Sequence, residues 1–266
     1  MPSWPTVVVS AVVIGGLLGA AQAGGRTPAQ SSATPSALSS PSTSADATRG
    51  HARTALPSPD ASAWPDTVRQ TLPPEQPPRI ALTFDDGPDP RWTPQILDVL
   101  AAHGAVATFC VVGEQVTGRE ALLRRVAEEG HVLCNHTSTH DYGLPARDPE
   151  RLESEIARVN EQITEAVPGV TVHAFRAPGG RFDDTVVAAA RGLGLTSWGW
   201  SSDPQDWQSN EADAIVAAVL DGIGPDEVVL LHDGGGDRSA TVEAVGELVS
   251  VLSSVGYEFV GLPDVT

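Results

Sequence analysis

The chain has 266 residues, of which 41% are hydrophobic, so it can bury one sizeable core. Its formal net charge of −18 argues against nucleic acid and anionic lipid as partners. The sequence contains no lysine, which excludes Schiff-base and P-loop chemistry.

Residues 1–23 have the pattern of a secretory signal peptide. Residues 7–21 are apolar apart from Ser10 and three glycines, and the segment ends in the small-x-small cleavage pattern Ala21-Gln22-Ala23. No Lys or Arg precedes the apolar run, so an uncleaved membrane anchor is the alternative. Either interpretation places the rest of the chain outside the cytoplasm, secreted or at the cell surface, with membrane contact only through this segment.

Residues 24–78 are rich in Ser, Thr, Pro and Ala and contain few large apolar side chains. Such a composition does not bury enough surface to offset its ordering entropy, and it predicts a disordered linker. The linker is either a spacer from a membrane or wall or a leftover of export. Residues 79–266 then form a single catalytic domain, which we expect to be a monomer.

Strands and helices alternate along residues 79–266. The run Ile80-Ala81-Leu82 predicts a first strand, and Thr93 with Pro94 predicts the start of a helix that closes at Gly104. Further strands are predicted at 105–112, 131–134, 172–175, 195–200, 228–231 and 257–260, and helices at 119–129, from Asp148 to 167, from Asp183 to 192, at 213–220 after an Asn210 cap, and at 239–254. Seven strands and about six helices predict an α/β fold with a parallel sheet, either open or rolled into a barrel.

Polar side chains follow several of these strands, where the site of a parallel α/β protein lies. Asp85 and Asp86 follow the first strand, and His136 and His140 are four residues apart, as one helical turn needs for a shared cation. Catalytic zinc commonly takes three protein ligands and leaves a position for water, and Asp86 is the candidate third ligand. Asp85 is then the candidate base for that water.

Arg176 and His232 end two later strands. Arg176 either holds the Asp85 carboxylate by a bidentate contact or forms a structural ion pair. His232 is either the acid that protonates the leaving group or a structural histidine, and Asp203 or Asp206 would raise its pKa. Trp207 offers a flat face for a sugar or packs in the core. No matching site motif accompanies the other histidines. They are interpreted as linker or structural residues: His51, His103, His131 and His173.

Cys110 and Cys134 are the two cysteines of the chain and lie in successive predicted strands. In an exported protein they can form a disulfide, and two buried free thiols are the alternative.

Five ordered motifs carry a resemblance to a known family. They are Thr83-Phe84-Asp85-Asp86-Gly87-Pro88, His136-Thr137-Ser138-Thr139-His140, Arg176-Ala177-Pro178-Gly179-Gly180, Asp203 to Trp207, and Leu230-Leu231-His232. Together they resemble the polysaccharide deacetylases, also called the NodB homology domain or carbohydrate esterase family 4. The resemblance implies a distorted (β/α) barrel of seven or eight strands and metal-dependent deacetylation of an acetylated polysaccharide.

The resemblance also implies roles for single residues. Asp85 is the base, His232 is the acid, and Arg176 orients the base. The metal, Zn²⁺ or another divalent ion such as Co²⁺, is held by Asp86, His136 and His140. An aspartate of the fourth motif, Asp203 or Asp206, tunes His232, while Pro178, Gly179, Trp207 and Leu230 belong to the substrate site. Many members carry an aromatic residue at the position of Gly179, so that groove wall is missing here while the backbone N–H, a candidate oxyanion donor, remains.

The function that follows is removal of N-acetyl groups from N-acetylglucosamine units of peptidoglycan or chitin-like polymers. One alternative is O-deacetylation of acetylated xylan, because the same chemistry serves amides and esters. Another is a catalytically inactive carbohydrate-binding wall protein, which the full set of base, ligands and acid disfavours.

Overall fold

The computed structural model of the protein describes residues 60–264. The predicted signal peptide and most of the predicted linker lie outside these residues. Seven strands form one parallel sheet: β1 (Arg79–Asp85), β2 (Thr108–Val111), β3 (Val132–Asn135), β4 (Ala174–Phe175), β5 (Thr196–Ser197), β6 (Glu227–His232) and β7 (Glu258–Phe259). The strand order is β5-β4-β3-β2-β1-β6, and β7 pairs with β1. The sheet is curled and ringed by helices, so the predicted distorted (β/α) barrel is confirmed.

Helices connect the strands. They are α1 (Trp92–His103), α2 (Gly113–Val116), α3 (Glu120–Glu128), α4 (Pro149–Ala166), α5 (Asp184–Gly192), α6 (Ala212–Leu220) and α7 (Ser239–Ser254). The predicted caps Asp148 and Asp183 are confirmed, because each side chain accepts a hydrogen bond from a backbone N–H in the first turn of α4 or α5. None of the described helices is both long enough and apolar enough to span a membrane.

Two predicted helix starts are wrong. Helix α1 begins at Trp92 rather than after Thr93, because the Asp89 carboxylate accepts the backbone N–H of Trp92 at 3.0 Å. The Thr93 hydroxyl instead accepts the N–H of Asp89 at 2.8 Å. Helix α6 begins at Ala212, and Asn210 does not cap it.

The two faces of β1 pack against different clusters. Ile80, Leu82 and Phe84 lie in a cluster with side chains of α1, α3, α6 and α7. The alternate residues Ala81, Thr83 and Asp85 point to the opposite face, which we call the site face. Cys110 of β2 and Cys134 of β3 pack in the cluster on the site face, where they form a disulfide.

Residues 60–78 do not form the predicted disordered linker. Trp64 is buried and contacts Phe182 and Trp200 edge-on, with ring centroids 5.4 and 4.9 Å away. Arg69 forms a parallel bridge with Trp198, next to β5, and Thr71 forms an antiparallel bridge with Glu227 of β6. The segment therefore joins the two edge strands of the sheet. The boundary between linker and domain predicted at Pro78 is too late. The segment has few apolar side chains, but Trp64, Val68 and Leu72 are all buried in the core.

Candidate active site

Strand register brings the candidate base and acid to neighbouring positions. Asp85 ends β1 and pairs in register with His232, which ends β6. On the other side Asp85 pairs with Cys110 of β2. Both Asp85 and His232 lie on the site face at the carboxyl ends of parallel strands, as predicted.

The three predicted metal ligands, Asp86, His136 and His140, come together at this edge. One candidate ligand atom from each residue lies within 4.8 Å of the other two. Nε2 of His140 is 2.9 Å from Oδ1 of Asp86, and Nε2 of His136 is 3.6 Å from the same oxygen. Burial raises the pKa of Asp86, but His140 and the other two imidazoles nearby outweigh it and hold that pKa well below its usual range. The carboxylate is therefore ionised and able to bind a cation.

The chemistry of these donors fits a cation. Nδ1 of His136 lies 2.8 Å from the carbonyl oxygen of Arg176, which can only accept, so Nδ1 carries the proton. Burial lowers the pKa of His136 to about 4, which leaves the ring neutral. The Nε2 lone pair then faces Oδ2 of Asp85 and Oδ1 of Asp86, each 3.6 Å away. Three electron-rich atoms around one point are stabilised by a cation between them.

The Arg176 side chain is fully buried and fixes the orientation of Asp85. Its Nη1 donates to Oδ1 of Asp85 at 2.9 Å and to Oγ1 of Thr83 at 2.7 Å. The predicted bidentate contact is wrong, because Nη2 and Nε donate to the carbonyls of Gly199 and Trp198 instead. With Oδ1 held by the guanidinium, Oδ2 is the oxygen that faces the candidate metal ligands.

Asp206, rather than Asp203, is the partner of His232. Its Oδ1 lies 2.7 Å from Nδ1 of His232, and its Oδ2 accepts the backbone N–H of His232 at 3.0 Å. Oδ2 also accepts the hydroxyl of Thr241 at 2.8 Å. Burial lowers the pKa of His232, but the charge and hydrogen bond of Asp206, with smaller contributions from Asp86 and Asp85, raise it to about 9. Asp203 instead accepts the N–H of Gln205 in the turn before Asp206.

The remaining predicted site residues lie in the loops around this centre. Trp207 is partly buried in the turn after Asp206, and Leu230 is buried in the cluster on the site face. Pro178 is buried at the start of a short 3-10 turn, Pro178–Gly180. Gly179 has φ +58°, and a Cβ at this position would lie 2.7 Å from Cε1 of Tyr142. The Tyr142 ring therefore occupies space beside Gly179 that a larger side chain would need.

Several buried polar residues around the site have weak sequence signals. Thr83 and Thr241 are ordinary threonines in an apolar strand and a helix, and nothing in their spacing marks them. Gly235 comes so close to Asp86 that a Cβ would lie 2.6 Å from Oδ2, and the run Gly234-Gly235-Gly236 is the signal for this approach. Glu155 is a charged residue three positions after Leu152 in the buried stripe of α4, a pattern that could have identified it.

The chain is similar to known deacetylases over most of the described residues. Residues 73–198 match the family model described as polysaccharide deacetylase. The chain is 40% identical over 183 residues to a peptidoglycan-N-acetylglucosamine deacetylase of Bacillus cereus, covering 68% of this chain and 84% of that one. It is 39% identical over 196 residues to a chitooligosaccharide deacetylase of Sinorhizobium fredii, covering 70% and 91%.

A solved structure supports the same grouping. The family 4 carbohydrate esterase from Streptomyces lividans, determined in complex with acetate, is 31% identical and superposes with a TM-score of 0.63. The match covers 69% of this chain and 92% of the esterase, so it includes nearly all of the solved chain of that protein.

Proposed function

Because the chain belongs to the polysaccharide deacetylase family, we propose that it is an exported, metal-dependent hydrolase of N-acetyl groups. Its substrate is a polysaccharide that contains N-acetylglucosamine units, either peptidoglycan or a chitin-like polymer. The two curated relatives described above are named for these two kinds of substrate, and both names specify deacetylation.

The observation that carries this proposal is a carboxylate and an imidazole at adjacent strand ends, each held by a partner of opposite charge. Asp85 is held by the Arg176 guanidinium, whereas the pKa of His232 is raised by the Asp206 carboxylate. A site with a carboxylate base and a protonated imidazole suits a reaction that removes one proton and delivers another. Amide hydrolysis needs both steps, because an amine leaves poorly without a proton.

The candidate ligands Asp86, His136 and His140 would hold the cation, for which we propose Zn²⁺. When bound, a divalent cation polarises the acetyl carbonyl and lowers the pKa of a coordinated water towards ~7. The protein itself fixes the ligands: the Arg176 carbonyl holds the His136 ring, and the Asp86 carboxylate is already ionised.

The proton path follows from the two fixed side chains. Oδ2 of Asp85 takes the proton from the attacking water, since Oδ1 is engaged by Arg176. Asp206 holds Nδ1–H of His232, which leaves Nε2 to deliver its proton to the departing amine nitrogen. Gly179 would contribute its backbone N–H to the developing oxyanion.

Export is the second part of the proposal. The apolar N-terminal segment with its small-x-small end supports it, and so does the Cys110–Cys134 disulfide, because disulfides persist in oxidising compartments. We also propose that the protein acts as a monomer, secreted or held at the cell surface. N-terminal sequencing of protein recovered from the culture medium would show whether cleavage follows Ala23.

Acetate release from three substrates tests the activity. N-acetylchitooligosaccharides, peptidoglycan and acetylated xylan are each incubated with the protein as purified, after chelation, and after chelation followed by Zn²⁺. We expect acetate from at least one of the first two, loss on chelation, and recovery with the metal. Release from acetylxylan alone would make the protein an O-acetyl esterase, and release from none would support a non-catalytic carbohydrate-binding protein.

A further inference from the structure

The two candidate histidine ligands are oriented by different means. The ring of His136 is fixed through Nδ1, which donates to the Arg176 carbonyl. Nδ1 of His140 is also buried but makes no hydrogen bond with any residue that the structure describes. A metal-binding histidine is normally oriented through its second ring nitrogen. The His140 ring is therefore positioned through its backbone and through its contacts with the rings of Tyr142 and His136.

The backbone that carries His140 is strained. Thr137 has φ +66° and His140 has φ +54°, in the left-handed region that side chains other than glycine rarely adopt. Such a conformation is unfavourable for these residues and persists only when surrounding contacts hold it. Some group outside the loop 136–140 must therefore supply those contacts.

Two helices supply them: the N–H groups of Gly113 and Glu114 in α2 donate to the carbonyls of Thr137 and Ser138, at 3.0 and 2.9 Å, and Glu155 of α4 holds the next part of the loop. The Glu155 side chain is 1% exposed, and its Oε2 accepts the backbone N–H of Thr139 at 2.9 Å. Both carboxylate oxygens lie 3.1 Å from the Thr139 hydroxyl, and the Glu155 carbonyl accepts the N–H of Ser138 at 2.8 Å. A different residue fixes the start of the loop: Oδ1 of Asn135 accepts the backbone N–H of Thr137 at 2.9 Å.

The Glu155 charge is compensated within its own helix. The Arg151 guanidinium, one turn earlier on α4, forms an ion pair with Oε1. A buried carboxylate is costly unless it is paired and hydrogen-bonded, and here both oxygens have partners. A glutamine places an amide nitrogen where one of these oxygens stood, so either the Thr139 N–H or the Arg151 guanidinium would face another donor.

We propose that Glu155 is a positioning residue for the metal site, which acts by holding the strained backbone of His140 so that Nε2 points at the cation. The inference rests on the proposed function, because it presumes that Asp86, His136 and His140 bind a divalent metal. Glu155 does not touch the metal, and His136 does not depend on it, since its ring is held from Arg176. The predicted consequence is that loss of the Glu155 contacts weakens metal binding through His140 alone.

Zinc affinity measured by competition with a chromophoric chelator tests this directly. Glu155→Gln should weaken Zn²⁺ binding by about 10- to 100-fold, the range found when outer-shell partners of ligands are removed. The matched control is Glu153→Gln, the same substitution at an exposed position of α4, and it should change affinity by less than about twofold. The visible spectrum of the Co²⁺-loaded protein should change for Glu155→Gln and not for the control.

A double-mutant cycle separates action through His140 from a general structural effect. In a His140→Ala background the remaining ligands are unaffected by the loop backbone at residue 140, so Glu155→Gln should cause no further loss of affinity. Thr139→Val provides a second variant if Glu155→Gln does not fold: it removes only the hydroxyl contact and should weaken binding several-fold. Thermal unfolding of the metal-free proteins shows which variants are folded.

The outcomes are distinct. Wild-type affinity in Glu155→Gln, or a loss of equal size in the His140→Ala background, would overturn the inference and leave the proposed function intact. A wild-type protein that binds no divalent metal would overturn the metal-dependent function and the inference with it.

Discussion

Replacing Asp206 with asparagine tests the origin of the acid. The Asp206→Asn substitution keeps the size of the side chain and an acceptor for Nδ1–H of His232, but it removes the charge. It also puts an amide nitrogen where one carboxylate oxygen stood. The pKa of His232 should therefore fall, because burial, which lowers it, is no longer outweighed by the carboxylate.

The size of the expected loss of activity follows from the shift in the pKa of His232. The pKa of His232 is raised from 6.5 to about 9, and at ~1.4 kcal/mol per unit this is about 3 kcal/mol of preference for the imidazolium. If the pKa falls back to about 6.5, the protonated fraction at pH 8 drops from about nine-tenths to about 0.03, roughly a 30-fold loss of acid. At pH 6 the loss is less than about twofold. A bound cation would offset the contributions of Asp85 and Asp86 to the pKa of His232 and so reduce the loss.

The assay is kcat/KM against pH on an N-acetylchitooligosaccharide, with the wild type and the variant loaded with the same metal. We expect the alkaline limb of the variant to move down by one to two pH units, with the acidic limb unchanged. Because a group with a raised pKa stays protonated until pH exceeds that value, the wild type should keep its activity to higher pH. A loss of the same factor at pH 6 and pH 8 would refute the acid role assigned to the pair.

Four further variants test other parts of the site and fold. His136→Ala with His140→Ala should empty the metal site, as shown by elemental analysis. Asp85→Asn keeps the shape of the base but not its charge, so kcat should fall by about 10²-fold or more while metal stays bound. His232→Ala should lose most N-deacetylase activity yet retain hydrolysis of an activated aryl acetate, whose leaving group needs no proton. Trp64→Ala should lower the free energy of unfolding by about 3–5 kcal/mol, measured by denaturant titration.

Two of these variants have a matched control substitution in the chain. His103→Ala changes an exposed histidine of α1, and full metal content in the double variant would contradict the ligand assignment. Asp213→Asn changes an exposed carboxylate of α6, and loss of metal in Asp85→Asn would make Asp85 a ligand instead. Equal loss of both substrates in His232→Ala would point to a structural histidine. For Trp64, a protein that lacks residues 1–59 should unfold like the full chain, whereas one that lacks 1–78 should be less stable.

The spacing of apolar residues and the positions of capping residues, Gly and Pro predict most helices and strands, but they do not predict where each one ends. The stripe of α4 and its Asp148 cap are enough to place an 18-residue helix. The strand predicted at 195–200 is only Thr196–Ser197 in the sheet, because Trp198 and Gly199 turn their backbone to Arg69 and to the Arg176 side chain. Such long-range partners leave no local pattern. The linker prediction for residues 60–78 is wrong for the same reason: their composition is that of a linker, but Trp64 packs in the core and Arg69 and Thr71 form bridges to distant parts of the chain.

The same distinction between local pattern and long-range contact applies to the candidate site. Asp85, Asp86, His136, His140 and His232 follow strand ends, so topology alone gathers them. Which oxygen faces the metal ligands, and which aspartate pairs with His232, depend on side-chain geometry that spacing does not encode. The buried support Thr241 has no sequence signal, because a single hydroxyl does not change a helical pattern.

The bridge formed by residues 69–71 between the two edge strands also determines how the domain would carry a mechanical load. A pull on the N-terminal end of the described chain reaches the contact of Trp64 with Gly199, and then the hydrogen bonds that join Arg69 to Ser197 and Gly199. The carbonyl of Gly199 is also an acceptor for Arg176, the side chain that orients Asp85. Tension on a tether at this end would therefore act first on the support of the candidate base.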